Sequence, residues 1–196
     1  MSTTPREVNT IWTIPNLFTL LRLLCLPIFV WLLVRGERQA AGWMLGALSA
    51  TDWVDGYLAR RLGQVSEFGK AFDPTVDRLV FFVALIAIIV DGSIPLWFGL
   101  AVLFREVAVG ASVAIATVFF HMKRFDVTLV GKWATFLLML AVPGFLLSHS
   151  SIVIADWFGV ASWIIGIPGL ILSYYAGLTY IPRIKQNVQH RSLPTG

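Results

Sequence analysis

Asp52-Trp-Val-Asp55-Gly56-Tyr-Leu-Ala59-Arg60, followed by Gly69-Lys-Ala-Phe-Asp73-Pro-Thr-Val-Asp77, sets four carboxylates and two glycines between segments apolar enough to lie in a membrane. A charged side chain in the middle of a bilayer costs roughly 3 kcal/mol even on lenient scales. Ionisable groups there face a cavity, pair with one another, or mark a site. This stretch therefore decides both what the chain is and where its chemistry lies.

The surroundings fix the class. The 196 residues are 57% hydrophobic and 13% charged, with a mean hydropathy of +0.78, which describes an integral membrane protein of one domain over residues 1–196 and excludes an ordinary soluble enzyme. The net charge of +4 comes from basic residues scattered among apolar segments with no long patch. Anionic lipid head groups are the expected partner, and no nucleic acid is. Cys25 stands alone and can form no internal disulfide. The first apolar run is long enough to span and has no small-residue cleavage site behind it, so a membrane helix is expected there and not a cleavable signal.

Outward from the acidic stretch, a window of about 20 residues per span predicts an all-α membrane protein, a bundle of six transmembrane helices. They are expected near 12–34, 40–62, 68–90, 96–120 and 128–147, with a sixth in the last apolar stretch, 152–181. That stretch is too long for one upright span at about 1.5 Å per residue. It is expected to divide into a short interfacial piece near 156–163 and a spanning helix ending before Pro182. Pro27 and Pro143 are expected to kink the first and fifth helices. Residues 1–11 read as a short juxtamembrane segment and 183–196 as a polar tail.

Charge orients the spans. With six of them, both termini share one side with the second-to-third and fourth-to-fifth connections, and that side collects 10 of the 15 Lys and Arg. The positive-inside rule then places both termini in the cytoplasm and the acidic stretch, hence the active site, near the cytoplasmic face.

Asp52 and Asp55 are spaced i,i+3, and Asp73 and Asp77 i,i+4, so each pair lies on one face of its helix. Four aspartates in one pocket repel and take up protons unless cations neutralise them. Two divalent ions with a taste for hard oxygen, Mg²⁺ or Mn²⁺, meet that need. Gly56, Gly69 and Ala59 leave room for a ligand against the backbone, and Arg60 offers a planar fork for phosphate. A single Asp at a helix end is usually a solvated cap; four acids at helical spacing, with glycines and an arginine among them, are not explained that way.

The same run fits Asp-x2-Asp-Gly-x2-Ala-Arg-x8-Gly-x3-Asp-x3-Asp at every fixed position. In this it resembles the CDP-alcohol phosphatidyltransferases. The resemblance implies that Asp52, Asp55, Asp73 and Asp77 hold two divalent cations, that Asp77 is the general base, and that Gly56, Ala59, Arg60 and Gly69 shape the CDP-lipid site. It further implies transfer of a phosphatidyl group from CDP-diacylglycerol to a glycerol-type acceptor with release of CMP, a homodimer, and a bacterial cytoplasmic membrane.

Ile14-Pro15-Asn16-Leu17 with Thr19 and Arg22, Thr51-Asp52-Trp53, and Arg105-Glu106 resemble the branch that holds phosphatidylglycerophosphate synthases and cardiolipin synthases. In the branch that uses glycerol 3-phosphate the fifth helix typically opens Gly-Lys-x-Lys-Thr; here it reads Gly131-Lys132-Trp133-Ala134-Thr135. The missing second lysine favours phosphatidylglycerol as acceptor, with glycerol 3-phosphate as the alternative. Acceptor-side candidates are Arg22, Arg105, Glu106, Lys132 and Asn16. Each has a plain reading too: Arg105 can pair with Glu106 to make burial tolerable, Lys132 can snorkel to the interface, and Asn16 can serve the helix start. Tryptophans and tyrosines read as interface anchors or lipid-facing bulk. An ion or proton transporter is the reading from another class, but it calls for acids spread through the membrane depth, whereas these gather at one end.

Overall fold

Among the described residues of the computed structural model six helices follow one another: α1 (Ile14–Val34), α2 (Arg38–Leu62), α3 (Glu67–Asp91), α4 (Leu96–Val118), α5 (Leu129–Ser148) and α6 (Ala155–Arg191). The structure describes the backbone of residues 14–62, 67–118 and 128–191, and side chains for 17–51, 75–112 and 128–179. Among the described residues three helices are long and apolar enough to cross a membrane, over Leu17–Val34, Leu129–Ser148 and Ala155–Thr179. The all-helical expectation holds, and for α1 to α5 each expected boundary falls within two residues of the one observed.

Local chemistry sets those boundaries. α1 ends in a paired-bond C-cap: Gly36 N–H donates to Leu33 O (2.9 Å) and Glu37 N–H to Leu32 O (2.9 Å). This closure needs a left-handed residue, and Gly36 supplies it at φ +76°. Gly92, at φ +78°, directly follows the last residue of α3, and Pro95 precedes the first residue of α4. Thr128 caps α5, its Oγ1 accepting from Gly131 N–H at 3.2 Å.

The last apolar stretch corrects the expectation of two pieces. α6 is one helix of 37 residues, running unbroken through the anticipated interfacial piece at 156–163 and past Pro182 to Arg191. Two glycines inside this helix serve its packing. A Cβ on Gly166 would meet Phe98 at 3.0 Å and Ala141 at 3.3 Å, and one on Gly169 would meet Leu137 Cβ at 2.9 Å. These glycines admit neighbouring helices and turn nothing. At about 1.5 Å per residue the helix is roughly 55 Å long, so its apolar part, Ala155–Thr179, is the candidate span and the polar remainder prolongs it. The expected polar tail is thus helical from 183 to 191.

The Gly169 contact has a measurable consequence. Alanine is the better helix former by about 1 kcal/mol, yet overpacking costs about 1–3 kcal/mol, and here the obstructing atom is a Cβ that cannot swing away. Gly169→Ala is expected to lower the melting midpoint of the detergent-solubilised protein. Gly46→Ala, where nothing among the described residues lies within 4 Å, is expected to leave it unchanged or raise it.

The chain divides into two compact units: Met1–Ile94 with Pro143–Gly159, and Pro95–Val142 with Val160–Gly196. In the first, α1 packs on both α2 and α3, with Phe29, Ala41, Leu85 and Ile88 closing the core. In the second, Phe98, Val102, Ala134, Leu138 and Ala141 are buried. Trp97 stacks on Trp163 there at 5.7 Å between ring centroids.

Candidate functional site

One ion pair sets the register of the acidic helices. Arg38 Nε, on the first residue of α2, donates to Asp91 Oδ2, on the last residue of α3, at 2.9 Å, and Ser93 Oγ donates to the same oxygen. The chain joins the other ends of the two helices through residues 63–66, so α2 and α3 run antiparallel. Measured from the Arg38–Asp91 tie, Asp52 along α2 and Asp77 back along α3 stand at the same sequence distance. At the rise of an α-helix that is about 21 Å in each case. Asp55 and Asp73 follow about one helical turn further on. The backbone thus carries the four motif acids at two successive levels of a pair of helices that both pack on α1.

Of these four acids, Asp77 alone has a described side chain. The side chains of Asp52, Asp55 and Asp73 lie outside the described residues, as do those of Gly56, Ala59, Arg60, Gly69 and Asn16. Asp77 Oδ1 accepts from Arg22 Nη1, which reaches it from α1. The Arg22 side chain is 5% exposed and that of Asp77 37%. Burying a guanidinium in an apolar helix requires an opposite charge. The carboxylate that answers it is the one the motif marks as the base. Arg22, expected on the acceptor side, therefore pairs with Asp77 directly. Thr19, one turn before it on α1, is buried as well.

The second unit holds the remaining acceptor-side candidates. Arg105 on α4 is 7% exposed; its Nη1 pairs with the neighbouring Glu106, and its buried Nε has no hydrogen-bond partner among the described residues. The plain reading of Arg105, a charge made tolerable by Glu106, is thus half of what is seen, because that pairing leaves a buried donor unspent. Lys132 is exposed on the first turn of α5. Ala134, in the position of the missing second lysine, is fully buried.

Two features escaped the sequence. The Arg38–Asp91 tie joins residues 53 apart, and nothing local announces it. Tyr174, which is 37% exposed, also donates its hydroxyl to Ala101 O at 2.9 Å. A hydroxyl inside an apolar helix was the available signal, since a phenol in such surroundings needs a partner.

Among the described residues no three His, Cys, Asp or Glu side chains gather at metal-binding distance, three of the four motif acids lying outside that set. What is described fits a cationic centre. Asp77 already draws a buried guanidinium, its donor atoms are hard oxygens, and the backbone places three further aspartate positions towards the same end of α2 and α3.

A family model for CDP-alcohol phosphatidyltransferase matches residues 12–168 of the chain. A cardiolipin synthase (CMP-forming) of Streptomyces coelicolor is 35% identical over 189 residues, covering 93% of this chain and 87% of that protein. A CDP-diacylglycerol–glycerol-3-phosphate 3-phosphatidyltransferase of Pseudomonas fluorescens is 43% identical over 103 residues, covering 50% of this chain and 53% of its own. The Bacillus subtilis protein of the same name is 35% identical over 113 residues, covering 50% of this chain.

Proposed function

Because the chain belongs to the CDP-alcohol phosphatidyltransferase family, an enzyme family of phospholipid biosynthesis, we propose that it transfers the phosphatidyl group of CDP-diacylglycerol to phosphatidylglycerol, forming cardiolipin and CMP. The observation that carries the acceptor is the 35% identity to a CMP-forming cardiolipin synthase along 93% of the chain, against 28% to a probable phosphatidylglycerophosphate synthase of Mycobacterium tuberculosis along 88% of it, while the two glycerol-3-phosphate transferases named above each match half. The buried Ala134 agrees. Glycerol 3-phosphate brings a dianionic phosphate and calls for several cations; phosphatidylglycerol brings one negative charge.

Asp52, Asp55, Asp73 and Asp77 would hold two divalent cations, Mg²⁺ or Mn²⁺, which when bound supply positive charge to the pyrophosphate and to departing CMP. Gly56, Ala59, Arg60 and Gly69 shape the CDP-lipid site on α2 and α3. Asp77 takes the proton of the acceptor hydroxyl. That oxygen forms its bond to the phosphorus bearing diacylglycerol as the bond from this phosphorus to CMP breaks. Arg22 holds the Asp77 carboxylate in place, and Asn16, Arg105, Glu106 and Lys132 serve the acceptor and lipid phosphates. Both termini and the acidic ends of α2 and α3 lie at the cytoplasmic face of a bacterial membrane that all six helices cross, a reading supported by the 10 of 15 basic residues on that side. Resemblance to the family supports a homodimer.

The acceptor is tested by offering the purified protein CDP-diacylglycerol with phosphatidylglycerol and glycerol 3-phosphate at equal concentration and identifying the lipid by mass spectrometry. Cardiolipin is the expected product. Predominant phosphatidylglycerophosphate would reverse the assignment.

A further inference from the structure

We infer that Tyr174 is a positioning residue for Arg105, and that its hydroxyl sets the affinity of the enzyme for its anionic acceptor. The inference rests on the acceptor-side role of Arg105 proposed above. It starts from one carbonyl. In α4, Ala101 O lies four residues before Arg105 and is the backbone acceptor for the Arg105 N–H. Tyr174 of α6 donates to that same oxygen at 2.9 Å. The carbonyl therefore serves two donors, and the turn of α4 that carries Arg105 is fastened to α6 at the point where it begins.

The contacts on either side make this a fixed register. Trp97 meets Trp163, a Cβ on Gly166 would meet Phe98 at 3.0 Å, and one on Gly177 would meet Val109 at 3.6 Å, so α4 and α6 run parallel and touch before and after Arg105. Aromatic side chains on a helix lean towards its N-terminus. Such a lean lets Tyr174 reach back to Ala101 while Gly177 lies beside Val109. Between these two points stands a guanidinium that is 7% exposed and pairs with its own neighbour, Glu106. Its buried Nε donates to nothing among the described residues. A spare N–H on a buried cation costs free energy unless a ligand answers it, and an anion is the chemistry that fits a guanidinium. The phosphodiester of a glycerophospholipid or a free phosphate monoester would each do so. The direction in which Nε points depends on the α4 turn, and hence on Tyr174.

Tyr174→Phe keeps the ring and removes the bond. It is expected to raise the acceptor KM about three- to tenfold, the range of one hydrogen bond, with kcat and the KM for CDP-diacylglycerol within twofold of wild type. In an Arg105→Gln background the same change is expected to add nothing to the acceptor KM. Hydrogen exchange at the Arg105 amide is expected to quicken in Tyr174→Phe. An unchanged acceptor KM in Tyr174→Phe, beside a raised one in Arg105→Gln, would overturn the positioning role alone. Equal rises in both substrates' KM, or an additive effect on Arg105→Gln, would show a merely structural bond and overturn it too. An unchanged acceptor KM in Arg105→Gln would remove the acceptor reading itself, whatever hydrogen exchange shows. Running phosphatidylglycerol and glycerol 3-phosphate as separate arms tells a lipid phosphodiester from a phosphate monoester.

Discussion

Asp77→Asn is expected to lower phosphatidyl transfer by about three orders of magnitude or more. A positioned general base contributes about 10²- to 10⁴-fold by itself, and the same substitution removes one of four proposed metal-binding carboxylates. The geometry adds a complication, because Asp77 also faces the buried Arg22. Removing one member of a buried ion pair costs about 3–5 kcal/mol, and the 37% exposure of Asp77 brings the cost here towards or below the lower end. An inactive variant alone could therefore reflect a damaged fold. The double variant Arg22→Gln, Asp77→Asn separates the two effects. Removing both charges together leaves neither buried without its partner, so the double variant is expected to regain most of the melting midpoint lost in Asp77→Asn and to remain inactive. Recovery of transfer along with stability would remove Asp77 from the chemistry and leave it a structural counter-ion.

Removing divalent cations is expected to have an effect as large. With four carboxylates carried at two levels of α2 and α3, the protein treated with a chelator should release no CMP, and Mg²⁺ or Mn²⁺ should restore release. A ligand that binds only the folded state stabilises it, so either ion should also raise the melting midpoint, and by less in Asp77→Asn. Undiminished turnover after exhaustive chelation would mean that the acids neutralise one another by sharing protons, and the two-cation site would fall.

Much of this was legible because membrane proteins simplify the problem. A bilayer fixes the length of a spanning helix, and a left-handed glycine at position 36, with Gly92 and Pro95 further on, leaves little choice about where the early helices begin and end. The helical spacing of Asp73 and Asp77 was equally plain. The division of α6 was misread because it was drawn from length alone, and a helix can run on beyond the part that is apolar enough to span. A sequence shows that Gly166 and Gly169 lack side chains, but only the neighbours Phe98, Ala141 and Leu137 show that the gap is filled by another helix.

The site divides along the same line. The acidic stretch announced a site, since only a few functions tolerate four carboxylates among apolar residues, and the resemblance of its motif implied the chemistry. The partners of those groups were hidden, because Arg22 and Asp77 stand 55 residues apart and Tyr174 and Ala101 stand 73 apart. A buried charge can be recognised as needing a partner from sequence alone. Which residue answers it depends on how α1 lies along α3, and that is a property of packing.

The central claim is that the acidic ends of α2 and α3 move a phosphatidyl group from CDP-diacylglycerol to a lipid hydroxyl. Its most direct test follows CMP and lipid product together in vesicles containing the purified protein, CDP-diacylglycerol, phosphatidylglycerol and Mg²⁺. One CMP released for each cardiolipin formed, and none without the acceptor, is the predicted result. CMP released with no matching lipid product, or no CMP with any glycerol-type acceptor, would contradict it.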